Sequence, residues 1–337
     1  MDSVNLKTLA KKLNLSISTV SRALRDSHEI SVKTKQKVLA LAKALNYEPN
    51  PYAGSLRKQA SRTIAVVIPE VANNFFSLAI SGIEEIAQLK AYHVLIYLSH
   101  DRYDLELSIA RHLASGRVDG ILLSVSSESN DFSHLVELKN KNIPMVFFDR
   151  VCEEIDAPKV TTDDFESGYQ ATLHLIKMGC KCIAYLMIAK NLSIGQKRFE
   201  GYKEALKDNG YDFEERLVIN CSNDKEVNYE LIKSVLSAEN PPDGIFASVE
   251  HLAIASYYAC KDSGMRIPED VKLVSFSNLE TAPLLNPSLT TITQPAYLIG
   301  KEAATMLFRM LEKKTINIED QHLELKSMLF QRESTAD

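Results

Sequence analysis

Residues 16–22, Ser-Ile-Ser-Thr-Val-Ser-Arg, crowd small hydroxyls and a cation into two helical turns. Ser16 is a favourable helix N-cap. Ser18, Thr19 and Ser21 are short and polar, Arg22 is positive, and Val20, Ala23 and Leu24 make an apolar side. Short polar groups on a first turn let a helix N-terminus approach a phosphate or a base edge. The chemistry on offer is nucleic-acid recognition. Catalytic signatures are missing: no G-x-S-x-G, no H-E-x-x-H and no phosphate-cradling glycine loop, with only 12 Gly in 337 residues. Asp163 and Asp164 imitate an acid/base pair, but adjacent acids in a loop point apart. Cys180 and Cys182 lack metal-site spacing, so the five cysteines read as idle thiols and no metal or cofactor is expected.

The elements that must position this turn are short. Asn5 caps LKTLAKKL, whose Leu6, Leu9, Ala10 and Leu13 share a face. Asn14–Ser16 turns the chain into the second helix, and residues 25–29 end it. Ser31 caps a third helix from Val32 to Leu45, with Val38, Leu39, Ala42 and Leu45 at helical spacing. Three such helices bury their apolar faces only against each other, which predicts a helix-turn-helix head over residues 1–48. Residues 1–61 hold 8 Lys and 3 Arg against 2 Asp and 2 Glu, a charge of +7, while the other 276 residues carry −12. A basic head on an acidic body suits a polyanion at the head. Residues 49–61 contain Asn50-Pro51, a helix start, but Gly54 and the short length leave any helix there dependent on a partner.

From Thr63 the period changes. TIAVVIP, YHVLIYL, GILLSV, PMVFF, CIAYLMI, GIFAS and VKLVSF are strand-length apolar runs, joined by a shorter one at Leu217–Ile219. Helical patterns separate them, among them Phe75–Leu89, Arg198–Asn209 and Leu252–Ser263. Alternating β and α predicts parallel sheets covered on both faces. About ten strands exceed one comfortable sheet, so two α/β lobes with a cleft between them are expected. Val118-Asp119-Gly120 and Pro242-Asp243-Gly244 precede matching strands, a weak internal repeat. The apolar runs are too short for a membrane, and MDSVNLKTLA has no apolar core. A cytoplasmic protein with no membrane partner is expected.

These residues resemble the LacI/GalR family of bacterial transcription regulators along nearly the whole chain. The head motif is LKTLAKKLNLSISTVSRAL followed by ISVKTKQKVLALAKALNYEPNPYAGSLR. The body matches at IAVVIPEVANNFF, RVDGILL, IPMVFFDR, KRFEGYKEAL, GMRIPEDVKLVSF and PSLTTITQP. The resemblance implies a type I periplasmic-binding-protein-like, two-lobed effector domain over residues 62–337. Lobe one would take residues about 62–160 plus 294–323, and lobe two about 161–293 plus 324–337. It also implies a homodimer whose paired heads read a pseudo-palindromic double-stranded operator. Carried over by position, Ile17 and Ser18 read bases, Arg22 reaches a base or phosphate, and Ser16, Thr19, Ser21, Ser31 and Thr34 contact phosphates. Ile17 makes no hydrogen bonds, so it reads by contact with a thymine methyl or by exclusion. The segment Asn50–Arg57 would fold as a hinge helix in the minor groove, Leu56 wedging between base pairs with Ala53 and Arg57 beside it. Gly54 would make that hinge costlier to order, by roughly 1 kcal/mol per head.

The same resemblance implies an effector site built from Phe75, Phe76, Ser124, Asp149, Arg150, Asp163, Arg198, Phe246, Glu250 and Ser277. Several have a plainer reading: Phe76 and Phe246 as lobe core, Arg150 as one half of a salt bridge. Arg198 opens a predicted helix, where a cation opposes the dipole and calls for an anionic partner or ligand. Val249-Glu250 stands where the family commonly has Asn-Asp, and Phe276-Ser277 where it commonly has Phe-Asp. Two arginines and one carboxylate fewer lean toward an acidic sugar or sugar derivative. The reading is therefore an effector-controlled DNA-binding regulator, a repressor by preference and not an enzyme. A solute-binding protein of the same fold is the alternative, opposed by the basic head and the absent signal peptide. The ending QRESTAD has no leucine repeat, which favours a dimer over a tetramer.

Overall fold

The structure, a computed structural model, describes residues 5–24, 26–45, 47, 61–129, 131–188, 191–313 and 321–336. It divides into two compact units, Met1–Ser61 and Arg62–Asp337. The hinge residues Ala53, Gly54, Leu56 and Arg57 lie outside the described residues.

The first unit contains α1 (Leu6–Leu13), α2 (Ile17–Leu24) and α3 (Val32–Ala44). Local capping places each start. Asn5 accepts the Thr8 N–H at 3.0 Å, Ser16 that of Thr19 at 3.1 Å, and Ser31 that of Thr34 at 3.3 Å. Asn14 in the left-handed region (φ 50°) ends α1. Leu9, Val20 and Val38 are fully buried at the centre, with Ala10, Ala23 and Ala42 around them. Leu39, expected on this buried face, is 52% exposed. It sits one residue past Val38 and is rotated away, and Leu41 packs in its place.

The second unit has two six-stranded sheets. The strands are β1 (Thr63–Ile68), β2 (His93–Leu98), β3 (Gly120–Leu123), β4 (Met145–Phe148), β5 (Lys159–Thr162), β6 (Ile183–Met187), β7 (Val218–Asn220), β8 (Gly244–Ala247), β9 (Lys272–Phe276), β10 (Thr290–Thr293), β11 (His322–Leu325) and β12 (Met328–Phe330). The helices between them are α4 (Asn74–Leu89), α5 (Tyr103–Leu113), α6 (Ser133–Asn140), α7 (Asp164–Lys177), α8 (Ser193–Asp208), α9 (Lys225–Leu236), α10 (Glu250–Asp262) and α11 (Ala296–Leu311). The first sheet runs β11-β5-β4-β3-β1-β2 and the second β12-β10-β9-β8-β6-β7. Every pairing is parallel except β10 with β12.

Burial follows the strand period. Ile64, Val66 and Ile68 face α4 and α11, while Ala65 and Val67 face α5 and α6. In the second sheet Tyr185 and Met187 face α7 and α8, and Ala184 and Leu186 face α9 and α10. Each lobe also holds one helix pair in backbone contact. A Cβ on Gly300 would stand 1.9 Å from the Ala79 carbonyl oxygen, and one on Gly82 2.1 Å from that of Tyr297. The second lobe repeats this, with Gly168 against the Arg198 backbone and Gly201 against Phe165.

The chain passes between the sheets three times, after β5, after β10 and after β11. Among the described residues twelve strands form where about ten were expected; KVTT, TTIT, HLEL and MLF, beside the crossings, are the four that the named apolar runs did not include. The expected lobe borders shift as well. Thr161-Thr162 pairs in register with Glu324-Leu325, so both pairs belong to the first lobe and not the second.

Candidate functional site

On the head, Ile17 is 46% exposed at the start of α2, with Ser16 and Ser18 exposed beside it. The Ser16 hydroxyl lies 2.8 Å from both the Ser18 and Thr19 hydroxyls, so three oxygens converge at this N-terminus. Ser31 and Thr34 repeat the pattern on α3, their hydroxyls 2.9 Å apart. Ser21 is half-buried. Arg22 is held by Glu29 at 2.6 Å, with both side chains about half exposed. The helix dipole adds to the attraction of this face for anions.

In the body the carboxyl ends of the strands converge on a cleft between the lobes, where open parallel sheets place their ligands. Asp101, after β2, and Asp149, after β4, both have left-handed backbones (φ 59° and 60°). Non-glycine residues held so are strained, and such strain gathers at functional sites. An inner cavity brings together Phe75, Phe76, Asp149, Arg150, Arg198, Glu250 and Ser277 from the predicted set. Three predicted residues do not line it. Ser124 is fully buried, its oxygen accepting from the Arg150 N–H at 3.4 Å. Asp163 binds the Ser167 hydroxyl at 2.9 Å and the Ser327 N–H at 2.8 Å, tying two crossings together. Phe246 is core, stacked on Phe276 with centroids 6.0 Å apart.

Asn73, Ile194, Val249, Phe276, Asn278 and Gln294 also line the cavity and were missed. Asn73 had a local signal, since it caps α4 by accepting the Phe75 N–H at 2.9 Å. The inner cavity has a volume of about 50 Å³. An adjoining outer cavity of about 280 Å³ shares Asn73, Arg150, Val249 and Glu250 with it.

The charges are arranged in pairs. Arg198 is 3% exposed; its Nε donates to Asp164 at 2.8 Å and its Nη1 to the Ser248 carbonyl at 2.8 Å. Its guanidinium lies 3.7 Å from the Phe276 ring centroid. The premise that Arg198 opens a helix is corrected, because α8 begins five residues earlier at Ser193. The anionic partner it called for exists, but within the chain. Burial pushes Asp164 up to about 6, Arg198 offsetting only part of it. Arg150 donates to Asp101 at 2.8 Å. Burial opposes the Asp101 carboxylate, yet Arg150, the Ser127 N–H and Asn223 together hold its pKa below the ordinary value. With both guanidiniums committed, the basis for expecting an acidic sugar falls away.

Hydrogen bonds cross the cleft where Asn223 donates to Asp101 at 3.2 Å and Asn74 to Glu250 at 3.5 Å. Ser277 donates to the other Glu250 oxygen at 3.1 Å. Gln294, at the second crossing, donates to Thr162 at 3.1 Å and reaches Asp149 at 3.5 Å. Burial raises the pKa of both Asp149 and Glu250.

Residues 5–50 match the bacterial regulatory proteins of the lacI family, and residues 61–330 match the periplasmic binding proteins and sugar binding domain of the LacI family. The chain belongs to the LacI family. The HTH-type transcriptional regulator RegA of Clostridium saccharobutylicum is 30% identical, over 98% of this chain and 99% of that protein. The ribose operon repressor of Halalkalibacterium halodurans is 30% identical, over 98% and 96%. Among solved structures, a CelR–cellobiose complex aligns with a TM-score of 0.75 at 26% identity, covering 98% of this chain and 100% of that one. The lac repressor dimer bound to operator and the anti-inducer ONPF aligns with a TM-score of 0.85 at 21% identity over the full length of both, a likeness of fold. As a LacI-family member the chain is a DNA-binding transcriptional regulator with an effector domain, not an enzyme. Among the described residues no helix is long and apolar enough to cross a membrane.

Proposed function

We propose that this LacI-family protein is a cytoplasmic, homodimeric repressor that releases or grips a pseudo-palindromic operator according to a sugar-like effector in the cleft. Ile17 and Ser18 read base edges, and the hydroxyls of Ser16, Thr19, Ser31 and Thr34 fix the register on phosphates. The observation carrying the reading is that cleft-lining side chains are also the cross-lobe contacts, Glu250 to Asn74 and the Arg150–Asp101 pair to Asn223. A ligand seated there changes the contacts that set the lobe angle, and so has different affinities for two lobe arrangements. Exposed Leu89, Leu95 and Ile96 on the first lobe, with Tyr258 and Leu284 on the second, support a dimer through the lobe surfaces.

The test is fluorescence anisotropy with labelled DNA from the protein's own promoter region. Specific binding should weaken steeply with salt through phosphate contacts. A bound sugar should shift it at least about 5-fold, the lower end of allosteric coupling. Binding that no sugar alters, or that ignores sequence, overturns the proposal.

A further inference from the structure

We infer that the effector carries a positive charge, an amine on a polyhydroxylated framework, and that anionic sugars are shut out. This rests on the reading of the cleft as the effector site. Two carboxyl groups, Asp149 and Glu250, and two guanidiniums, Arg150 and Arg198, line the inner cavity. Each guanidinium already has its own carboxylate at 2.8 Å, Arg150 with Asp101 and Arg198 with Asp164. The two acids left over, Asp149 and Glu250, line the cavity, and among the described residues neither has a cation within 4.0 Å. Among the described residues Glu250 meets neutral donors: the Ser277 hydroxyl, the Asn74 amide and the backbone N–H groups of Asn74 and Asn278.

The excess negative charge is local. Around the outer cavity Glu70 and Asp101 are matched by Arg150 and Lys225, which leaves Glu250, shared with the inner cavity, as the unmatched acid. His251 adds no positive charge near neutral pH, since burial pushes its pKa down to about 4. Asp149 is buried and Glu250 partly so; Arg150 and Arg198 offset only part of the desolvation cost at Asp149, and an ammonium group relieves the remainder where an anion deepens it. Size agrees. The inner cavity admits one small group beside Phe75 and Phe76, whose rings suit a cation. The outer cavity of about 280 Å³ is left for the rest of the molecule.

The experiment is isothermal titration of the full chain at pH 7.5 with matched triplets: glucose, glucosamine and glucuronate, then the galactose and mannose counterparts, with glucose 6-phosphate as a further anion. The expected result is an amino sugar binding at least about 10-fold tighter than its neutral parent, with no binding of the acids. Glu250→Gln and Asp149→Asn should each shrink that gap to about 3-fold or less. Tighter binding by an acid or a neutral parent overturns the inference while leaving the cleft a sugar site. A preference that survives both substitutions overturns the assignment to these carboxylates. Failure of every sugar to bind overturns the reading of the cleft itself.

Discussion

The contact between α4 and α11 brings backbone against backbone, and it yields a sharp test. A Cβ at Gly300 would stand 1.9 Å from the Ala79 oxygen, and one at Gly82 2.1 Å from the Tyr297 oxygen, where ordinary contact begins at 3.4 Å. Relief needs a helix separation near 1.5 Å for Gly300→Ala and slightly less for Gly82→Ala. The obstacles are backbone atoms, so no rotamer change removes them. Overpacking of this kind costs about 3 kcal/mol, at the upper end of the usual range. Each single variant should therefore melt roughly 6–9 °C below the parent. Because one displacement of α11 relieves both clashes, the double variant should cost little more than either single. That is a coupling of about 2–3 kcal/mol in a double-mutant cycle. Urea unfolding followed by circular dichroism measures all three. Additive losses would show that the clashes are absorbed separately, and near-parental stability of either single would refute the close contact.

Three further outcomes follow from local features. Glu29→Gln frees Arg22 and removes an acid beside the proposed DNA-reading face, so operator binding at low salt should tighten about 2- to 5-fold, as an exposed pair is worth at most ~1 kcal/mol; weaker binding in anisotropy contradicts this. Leu9→Ala opens a cavity in a core centred on three large residues, costing about 2–5 kcal/mol. Calorimetry should then lose the head transition and keep that of the body, with operator binding abolished. His251 titrates near 4 when folded against an ordinary 6.5. The unfolded chain therefore binds more protons between those values, and this contribution to stability is full above pH 6.5 and lost as pH falls toward 4. His251→Gln should flatten that part of the melting-temperature profile, and an unchanged profile would place the dependence elsewhere.

What could be read from the chain divides by range of interaction. The caps at Asn5, Ser16 and Ser31 were legible because a cap is decided within three residues. TIAVVI announced a strand because both its faces are buried. KVTT and HLEL did not, since each is four residues long and mixes polar with apolar positions beside a crossing. The start of α8 was hidden because Leu192 offers no side-chain cap and the first turn, Ser-Ile-Gly-Gln, carries a glycine and a β-branched residue, both poorer helix formers. In the cleft, residue types were legible but pairing was not. Arg198 and Asp164 are 34 positions apart, Arg150 and Asp101 49, and only the folded sheets decide which acid each cation takes. That pairing turned the expected charge preference of the site around.

The three crossings also set an order of events at the ribosome. The first sheet is completed by β11 and the second by β12, with Ser334 and Thr335 buried and bonded to Leu273, Thr290 and His174. The head is finished by residue 47, with its own core. At bacterial synthesis speeds of roughly 5–20 residues per second, the reading helix exists for some tens of seconds before either lobe can close. Each newly made molecule thus passes through an interval in which it has a head able to fold and no working switch.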